Sequence, residues 1–125
     1  MSKTHSFPNS LSYAWTGLKT ALKNEPNIKI QGIIGFLAVI AAFFFRFSQI
    51  EWLILLITVF LVLILELINT TLEALVDLVS PQIQEKARIA KDVSAAVVLI
   101  SAAFSILVGC FLFLPKIIIF LSGVK

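Results

Sequence analysis

The chain has 125 residues, of which 59% are hydrophobic and only 14% are charged, and its mean hydropathy is +1.02. Soluble domains contain about half apolar and a quarter charged residues, so this composition excludes an ordinary soluble protein and indicates an integral membrane protein. The net charge of +3 is not gathered into a basic patch interleaved with aromatic residues, which argues against a nucleic-acid partner. The single cysteine, Cys110, excludes an internal disulfide and is interpreted as a small packing residue.

The N-terminal region is predicted to form a tail followed by a helix on the membrane surface. Residues 1–10 are rich in Ser, Asn and Pro, contain the only histidine, His5, and are expected to be flexible. Over residues 11–24, apolar side chains recur at helical spacing: Leu11, Trp15, Leu18 and Leu22. Lysines such as Lys19 lie off this stripe, which predicts an amphipathic helix in the cytoplasmic interface. Packing of that helix on the membrane bundle is a compatible alternative.

Three apolar segments follow, and each is predicted to form a membrane-spanning helix, over residues 28–47, 51–79 and 86–114. Spanning the hydrocarbon core takes about 20 residues, and all three segments reach that length with their flanks. Pro115 is expected to break or kink the third span. The expected fold is therefore an all-α membrane protein, with one surface helix and three spans forming a single domain over residues 11–125. Such a small bundle has little room for an internal site, which favours an oligomer.

The distribution of positive charge predicts the orientation in the membrane. Lysines precede the first span, and Lys86, Arg88 and Lys91 lie between the second and third spans. The connection between the first and second spans offers only Arg46. Because positive residues favour the cytoplasmic side, the N-terminal segment and residues 79–92 are expected to lie inside the cell.

A polar stripe interrupts the otherwise apolar second span. Its members share one helix face at about 100° per residue: Glu66, Asn69, Thr70, Glu73 and Asp77. A charge at the centre of a membrane helix costs roughly 2.5 to 3.5 kcal/mol on insertion scales. The stripe is therefore expected to face a bundle interior and to form a functional site. The alternative is the solvated face of a helix that has already left the bilayer.

The acids of the stripe would repel one another unless cations compensate them, and a divalent metal is the economical solution. One or two carboxylates typically bind Mg²⁺ together with phosphate oxygens. Lys91 and Asp92, directly before the third span, and Glu25, directly before the first, complete a polar cluster on the cytoplasmic side. The sequence contains no phosphate loop, dinucleotide fingerprint, Cys/His metal spacing or nucleophile elbow. Any enzyme chemistry is therefore expected to use acids, metal and lysine.

Two segments resemble a known family of membrane enzymes. ELINTTLEALVD followed by EKARIAKDVSAAVVLI is similar to the signature of the prokaryotic diacylglycerol kinase and undecaprenol kinase family, and SYAWTGLKTALKNEPNIKIQG is similar to its N-terminal part. The likeness covers roughly residues 11–114. It implies transfer of the γ-phosphate of ATP, with Mg²⁺, to the hydroxyl of undecaprenol or diacylglycerol. It also implies a homotrimer in a prokaryotic cell membrane, with active sites shared between subunits.

The resemblance further implies roles for individual residues. Glu66 matches the general base that accepts the proton of the lipid hydroxyl. The residues expected to bind ATP are Tyr13, Glu25, Glu73, Lys91 and Asp92, and among them Glu25 and Glu73 match the metal-binding glutamates. Those expected to contact the lipid or support the site are Trp15, Lys19, Asn69 and Asp77.

The chain departs from the family pattern at its N-terminus. Many relatives have an arginine before the surface helix, whereas the ungapped position here is Ser6 and the nearby basic residue is Lys3. A second comparison concerns the lipid acceptor. Undecaprenol-type relatives have the pattern Glu-x-Asn-x-Arg-Ile-His, and the matching positions here are Glu25, Asn27, Lys29, Ile30 and Gln31. This pattern leans toward a polyprenol acceptor.

Two other classes of function are compatible with parts of the sequence. A small proton-coupled transporter would account for the membrane acid Glu66 but gives no particular role to Lys91 and Asp92. A non-catalytic membrane scaffold would use the stripe only to pair helices.

Overall fold

The computed structural model describes residues 7–80, 82 and 84–123. Over these residues the chain forms four helices and no strand: α1 (Phe7–Asn24), α2 (Pro26–Phe44), α3 (Gln49–Val79) and α4 (Glu85–Ser122). The expected all-α class, with one amphipathic helix ahead of three long apolar ones, is confirmed. The expectations for Lys3, His5 and Ser6 lie outside the described residues.

Helices α2, α3 and α4 are each long and apolar enough to cross a membrane. At 1.5 Å per residue, the 19 residues of α2 extend about 28 Å, close to the thickness of a hydrocarbon core. The 31 residues of α3 and the 38 residues of α4 extend about 46 and 57 Å. Both exceed the roughly 30 Å hydrocarbon core, so their ends extend into the headgroup region or beyond it.

Helix α1 begins earlier than the sequence suggested, because residues 7–10 are helical and were expected to belong to the flexible tail. Pro8 occupies the first turn, where an N–H has no intrahelical partner and where the fixed φ of proline suits the helix. Pro26 likewise starts α2 after a single extended residue, Glu25. Within α1 only Ala21 is buried, so most of the helix surface is exposed in one chain.

The turn after α2 has a left-handed residue that is not glycine. Arg46 has a φ of 52°, and its N–H donates to the Phe43 carbonyl at 3.2 Å. The Phe47 N–H donates to the Ala42 carbonyl at 3.1 Å. These two bonds form a Schellman motif, in which glycine is the usual residue at the left-handed position. The motif turns the chain sharply into α3.

Helix α3 starts with a capping box at the end of the bundle opposite to its polar stripe. The Ser48 hydroxyl accepts from the Glu51 N–H, and the Glu51 carboxylate accepts from the Ser48 N–H at 2.7 Å. Glu51 also pairs with Lys116 Nζ at 3.0 Å, which joins the start of α3 to the end of α4. Aromatic rings gather at this end: Phe43, Phe45, Phe47, Trp52 and Phe113.

Pro115 does not end α4, so of the expected break or kink the break does not occur. The helix continues to Ser122 and finishes at Gly123, which has a φ of 65°. Proline removes one N–H from the helix ladder. Leaving the helix would deprive several following residues of their backbone hydrogen bonds in an apolar environment, so continuing is favoured.

The three long helices pack in an antiparallel order, and α3 packs chiefly on α4. A small buried core lies toward the Glu51 end: Ala42, Phe47, Leu55 and Leu112. Helix α2 approaches α3 closely at Gly35, where a Cβ would lie 2.7 Å from Val59 Cγ1. The opposite end of the bundle, where α2 and α4 begin and α3 ends, carries the polar stripe.

Candidate active site

The polar stripe of α3 passes from the bundle interior to the surface. Glu66 is buried, with only 2% of its surface exposed. Asn69, Thr70 and Glu73 are half-buried, and Asp77 is exposed. The side chains share one face, so successive members meet different neighbours from the middle of α3 toward its C-terminal end.

Glu66 is held by a residue of α2. Gln31 Nε2 donates to Glu66 Oε2 at 3.2 Å, and the Thr70 hydroxyl donates to the Glu66 backbone carbonyl at 3.1 Å. Within the described part of the chain, Glu66 Oε1 accepts no hydrogen bond. A carboxylate oriented by a neutral amide, with one oxygen left available, can accept a proton from an incoming hydroxyl.

An apolar cavity lies between α2, α3 and α4 and reaches Gln31. Its volume is about 360 Å³, and its walls are mainly small and aliphatic residues that include Gly35, Val59, Val62 and Gly109. Gln31 is the lining residue nearest to the start of α2, so it marks the end of the cavity at the polar stripe. Its Oε1 atom is buried and has no partner among the described residues. The cavity can therefore hold apolar chain material next to a polar end at Gln31, whose amide contacts Glu66.

The middle of the polar stripe is joined to α4. Ser94 Oγ donates to Asn69 Oδ1 at 2.6 Å, and Asn69 Nδ2 donates to Glu73 Oε1 at 3.0 Å. We call Ser94, Asn69 and Glu73 the hydrogen-bond chain. It fixes one oxygen of the Glu73 carboxylate, while Glu73 Oε2 accepts no bond from the residues that the structure describes.

The outer end of the polar stripe carries an ion pair. Lys91 Nζ lies 2.6 Å from Asp77 Oδ1, and the two side chains are 37% and 67% exposed. Exposed pairs of this kind contribute little to stability, about 0 to 1 kcal/mol. Their effect is instead to hold a partly exposed ammonium group at the mouth of the site, where it can contact an anionic substrate.

The carboxylates fit magnesium only in combination with other oxygen donors. Among residues 7–80, 82 and 84–123, no three His, Cys, Asp or Glu side chains converge on a common point. Mg²⁺ usually takes one or two carboxylates and completes its coordination with water and phosphate oxygens. Glu73, with its available Oε2, and Glu25, whose side chain makes no cap hydrogen bond, are donors of the required chemistry.

Four other predicted site residues, Tyr13, Trp15, Lys19 and Asp92, are exposed in the single chain. Tyr13 and Trp15 on α1 are 61% and 58% exposed, and the Lys19 ammonium lies 5.5 Å from the centre of the Trp15 ring. Asp92 is exposed at the start of α4. No hydrogen bond or ion pair between described residues links Trp15, Lys19 or Asp92 to the stripe.

Two residues of the site did not appear among the residues predicted from the sequence. The sequence pattern includes Gln31 only among the acceptor-related residues and gives no role to Ser94. Both are polar residues on the buried face of an apolar helix. That combination is a usable signal, because a buried polar side chain requires a hydrogen-bond partner.

Comparison with known proteins identifies the relatives of this chain. The family model described as prokaryotic diacylglycerol kinase matches residues 12–113. A diacylglycerol kinase of Synechocystis sp. is 39% identical over 110 residues, which are 87% of this chain and 63% of that protein. The diacylglycerol kinase of Escherichia coli is 34% identical over 100 residues, which are 80% of this chain and 82% of that protein. The undecaprenol kinase of Bacillus subtilis is 32% identical over 111 residues, which are 89% and 90% of the two chains.

These matches confirm the resemblance and the enzyme class that it implied. Both kinds of relative are named as kinases of lipid alcohols, and the match extends from α1 through most of α4. The chain belongs to the prokaryotic diacylglycerol kinase family, a family of membrane lipid kinases.

Proposed function

We propose that this protein transfers the γ-phosphate of ATP, with Mg²⁺, to the hydroxyl of a membrane lipid alcohol. The observation that carries the proposal is the buried Glu66, whose Oε2 is held by Gln31 at 3.2 Å and whose Oε1 is available. A carboxylate at this position meets a hydroxyl near the membrane interface and accepts its proton as the oxygen attacks the γ-phosphorus, while the bond from that phosphorus to the β–γ bridging oxygen breaks and ADP leaves. The names of the relatives support a lipid alcohol as the acceptor.

The protein binds the lipid acceptor at two places, one for its hydroxyl and one for its apolar chain. Its hydroxyl lies at Glu66 and Gln31, and part of its chain enters the apolar cavity between α2, α3 and α4. Undecaprenol and diacylglycerol both combine a hydroxyl with apolar chains, so both fit this division. A competition assay with the two lipids in the same micelles would measure which of them the enzyme prefers.

The donor is bound at the outer part of the polar stripe. Phosphoryl transfer depends mainly on positioning and on neutralising phosphate charge. Mg²⁺ held by Glu25 and Glu73 would supply part of that neutralisation. Lys91, oriented by Asp77, contacts the phosphates, and Tyr13 and Asp92 contact the rest of the nucleotide. Trp15 and Lys19 place α1 in the headgroup region beside the lipid.

The assembled enzyme is a homotrimer whose sites are completed between subunits. The exposed surface of α1, together with large exposed apolar side chains along α2 and α4, gives each chain extensive area for lipid or neighbouring subunits. The polar stripe faces the cytoplasm, where ATP is available, and the spans lie in a prokaryotic inner membrane. Light scattering of the purified protein in detergent would measure the number of chains.

The proposal is tested by comparing Glu66→Gln with Glu51→Gln in the full chain. A general base raises the reaction rate about 10²- to 10⁴-fold. Glu66→Gln should therefore lower the rate of phosphate transfer by at least about 10²-fold, while the protein folds normally. Glu51→Gln changes the same residue type at the other end of α3 and should retain activity, because glutamine also serves in a capping box. Transfer is measured with γ-labelled ATP and each lipid in mixed micelles.

Two results would overturn the proposal. Wild-type protein that phosphorylates neither undecaprenol nor diacylglycerol in several detergents would exclude the activity. Glu66→Gln protein that remains as active as the Glu51→Gln control would exclude Glu66 as the base.

A further inference from the structure

Ser94 is a buried hydroxyl that the proposed chemistry does not use directly. It is 7% exposed on α4, and its Oγ lies 2.6 Å from Asn69 Oδ1 and 3.0 Å from the Lys91 carbonyl. A hydroxyl has a single hydrogen to donate. The shorter contact identifies Asn69 on α3 as the principal acceptor, so the hydroxyl joins two helices.

This contact fixes the side-chain amide of Asn69. With Oδ1 engaged by Ser94, the amide nitrogen faces Glu73, and Nδ2 donates to Glu73 Oε1 at 3.0 Å. The opposite orientation would direct Oδ1 at the carboxylate, where two acceptors would repel each other. Glu73 alone favours the observed orientation, but among the residues that the structure describes only Ser94 anchors the amide to the neighbouring helix.

We propose that Ser94 is a positioning residue that acts through Asn69 to hold the Glu73 carboxylate with Oε2 directed toward the cation that accompanies the nucleotide. The inference rests on the proposed function and extends it to a residue that contacts neither substrate. Groups that orient metal ligands are generally needed for full metal affinity. Here the hydrogen-bond chain runs from α4 to α3, so the packing of these two helices sets the position of the Glu73 carboxylate.

Ser101 provides a matched control on the same helix. It is also 7% exposed, but its hydroxyl donates to the Val98 carbonyl of α4 itself at 2.8 Å. Ser94→Ala and Ser101→Ala therefore remove the same atom from equally buried positions. Only the first removes a contact to the polar stripe.

The test measures cation binding without turnover as well as activity. Mn²⁺ replaces Mg²⁺ as a spectroscopic probe, and its affinity for the full-length protein with a non-hydrolysable ATP analogue is measured by electron paramagnetic resonance. Loss of a group that orients a metal ligand typically lowers affinity about 10- to 100-fold, which is the effect expected for Ser94→Ala. The KM for Mg·ATP should rise in parallel and the KM for the lipid should not change. Ser94→Thr, which retains the hydroxyl, should restore Mn²⁺ affinity, and Ser101→Ala should match wild type.

Each contrary outcome overturns the inference. Ser94→Ala could bind Mn²⁺ with wild-type affinity, or Ser101→Ala could lose as much Mn²⁺ affinity as Ser94→Ala. Ser94→Thr could bind Mn²⁺ as weakly as Ser94→Ala, or Ser94→Ala could change only the KM for the lipid. Wild-type protein that transfers no phosphate would instead refute the proposed function. The Mn²⁺ measurement would still test the hydrogen-bond chain in that case.

Discussion

Glu66 and Asp77 belong to one stripe but have opposite surroundings. Glu66 is 2% exposed and contacts the neutral amide of Gln31, whereas Asp77 has a 67% exposed side chain and contacts the ammonium of Lys91. A buried carboxylate that no cation pairs with, as holds for Glu66 within the described part of the chain, is suited to proton transfer. An exposed carboxylate paired with lysine is suited to orienting that lysine.

The Lys91 ammonium is expected to contribute to nucleotide binding. Charge-assisted hydrogen bonds are worth about 1.5 to 3 kcal/mol, which corresponds to a rise in the KM for ATP of roughly 10- to 100-fold in Lys91→Met. Lys116→Met is the control, because Lys116 is also ion-paired and lies near the other end of α4. Steady-state kinetics with saturating lipid would measure both variants. Equal effects in the two variants, or none in Lys91→Met, would contradict the assignment.

The sequence revealed the polar stripe but not all of its partners. Helical periodicity alone puts Glu66, Asn69, Glu73 and Asp77 on one face, because it depends only on spacing within a single helix. The contacts of Gln31 and Ser94 join different helices. They depend on how α2, α3 and α4 are rotated against one another, which a single helical pattern does not specify.

At the level of the helices, hydropathy located the apolar segments better than their ends. Composition could not show that α4 continues past Pro115. The continuation depends on the backbone hydrogen bonds that the following residues would lose in an apolar environment if they left the helix. The early start of α1 had a local signal in Pro8, which suits a first helical turn. The left-handed conformation of Arg46 had no local signal in the sequence, because glycine is the usual residue at that position.

The close approach of α2 to α3 predicts different tolerances at two neighbouring glycines. A Cβ at Gly35 would lie 2.7 Å from the branched side chain of Val59, whereas a Cβ at Gly32 would meet nothing within 4 Å. Gly35→Ala should therefore destabilise the protein by about 1 to 3 kcal/mol, the usual cost of overpacking. Gly32→Ala should be neutral or slightly stabilising.

Unfolding in mixed micelles with increasing denaturant would measure this difference. Adding Val59→Ala to Gly35→Ala should recover part of the loss, because it removes the methyl group that the new Cβ meets. Equal stability of the two single glycine variants would show that the helices can separate at this point without cost.

At the scale of the whole molecule, two ion pairs between described residues lie at opposite ends of the antiparallel helices α3 and α4. Glu51 and Lys116 pair at one end, and Asp77 and Lys91 pair toward the other. The polar groups of the proposed site lie at the second end. Its access to ATP therefore depends on which side of the membrane that end faces.

The orientation is tested by labelling two single cysteines with a membrane-impermeant maleimide. Cys110→Ala removes the native thiol, and Ser80→Cys and Ser122→Cys then place one thiol near each end of the bundle. In intact spheroplasts, Ser122→Cys should react and Ser80→Cys should react only after lysis, because the basic segment around residues 79–92 favours the cytoplasm. The reverse pattern would place the polar stripe outside the cell.

The capping box at Ser48 and Glu51 also defines a fixed length along α3. Glu51 precedes Glu66 by about 22 Å of helix, and the Lys116 pair and nearby aromatic rings favour keeping Glu51 at the outer interface. Lipid hydroxyls, by contrast, move with the thickness of the bilayer. A thicker membrane would move the hydroxyl plane further from Glu66, whose position is set from the opposite surface, and a thinner one would bring that plane closer to Glu66. The membrane that holds this enzyme would thereby also tune its rate.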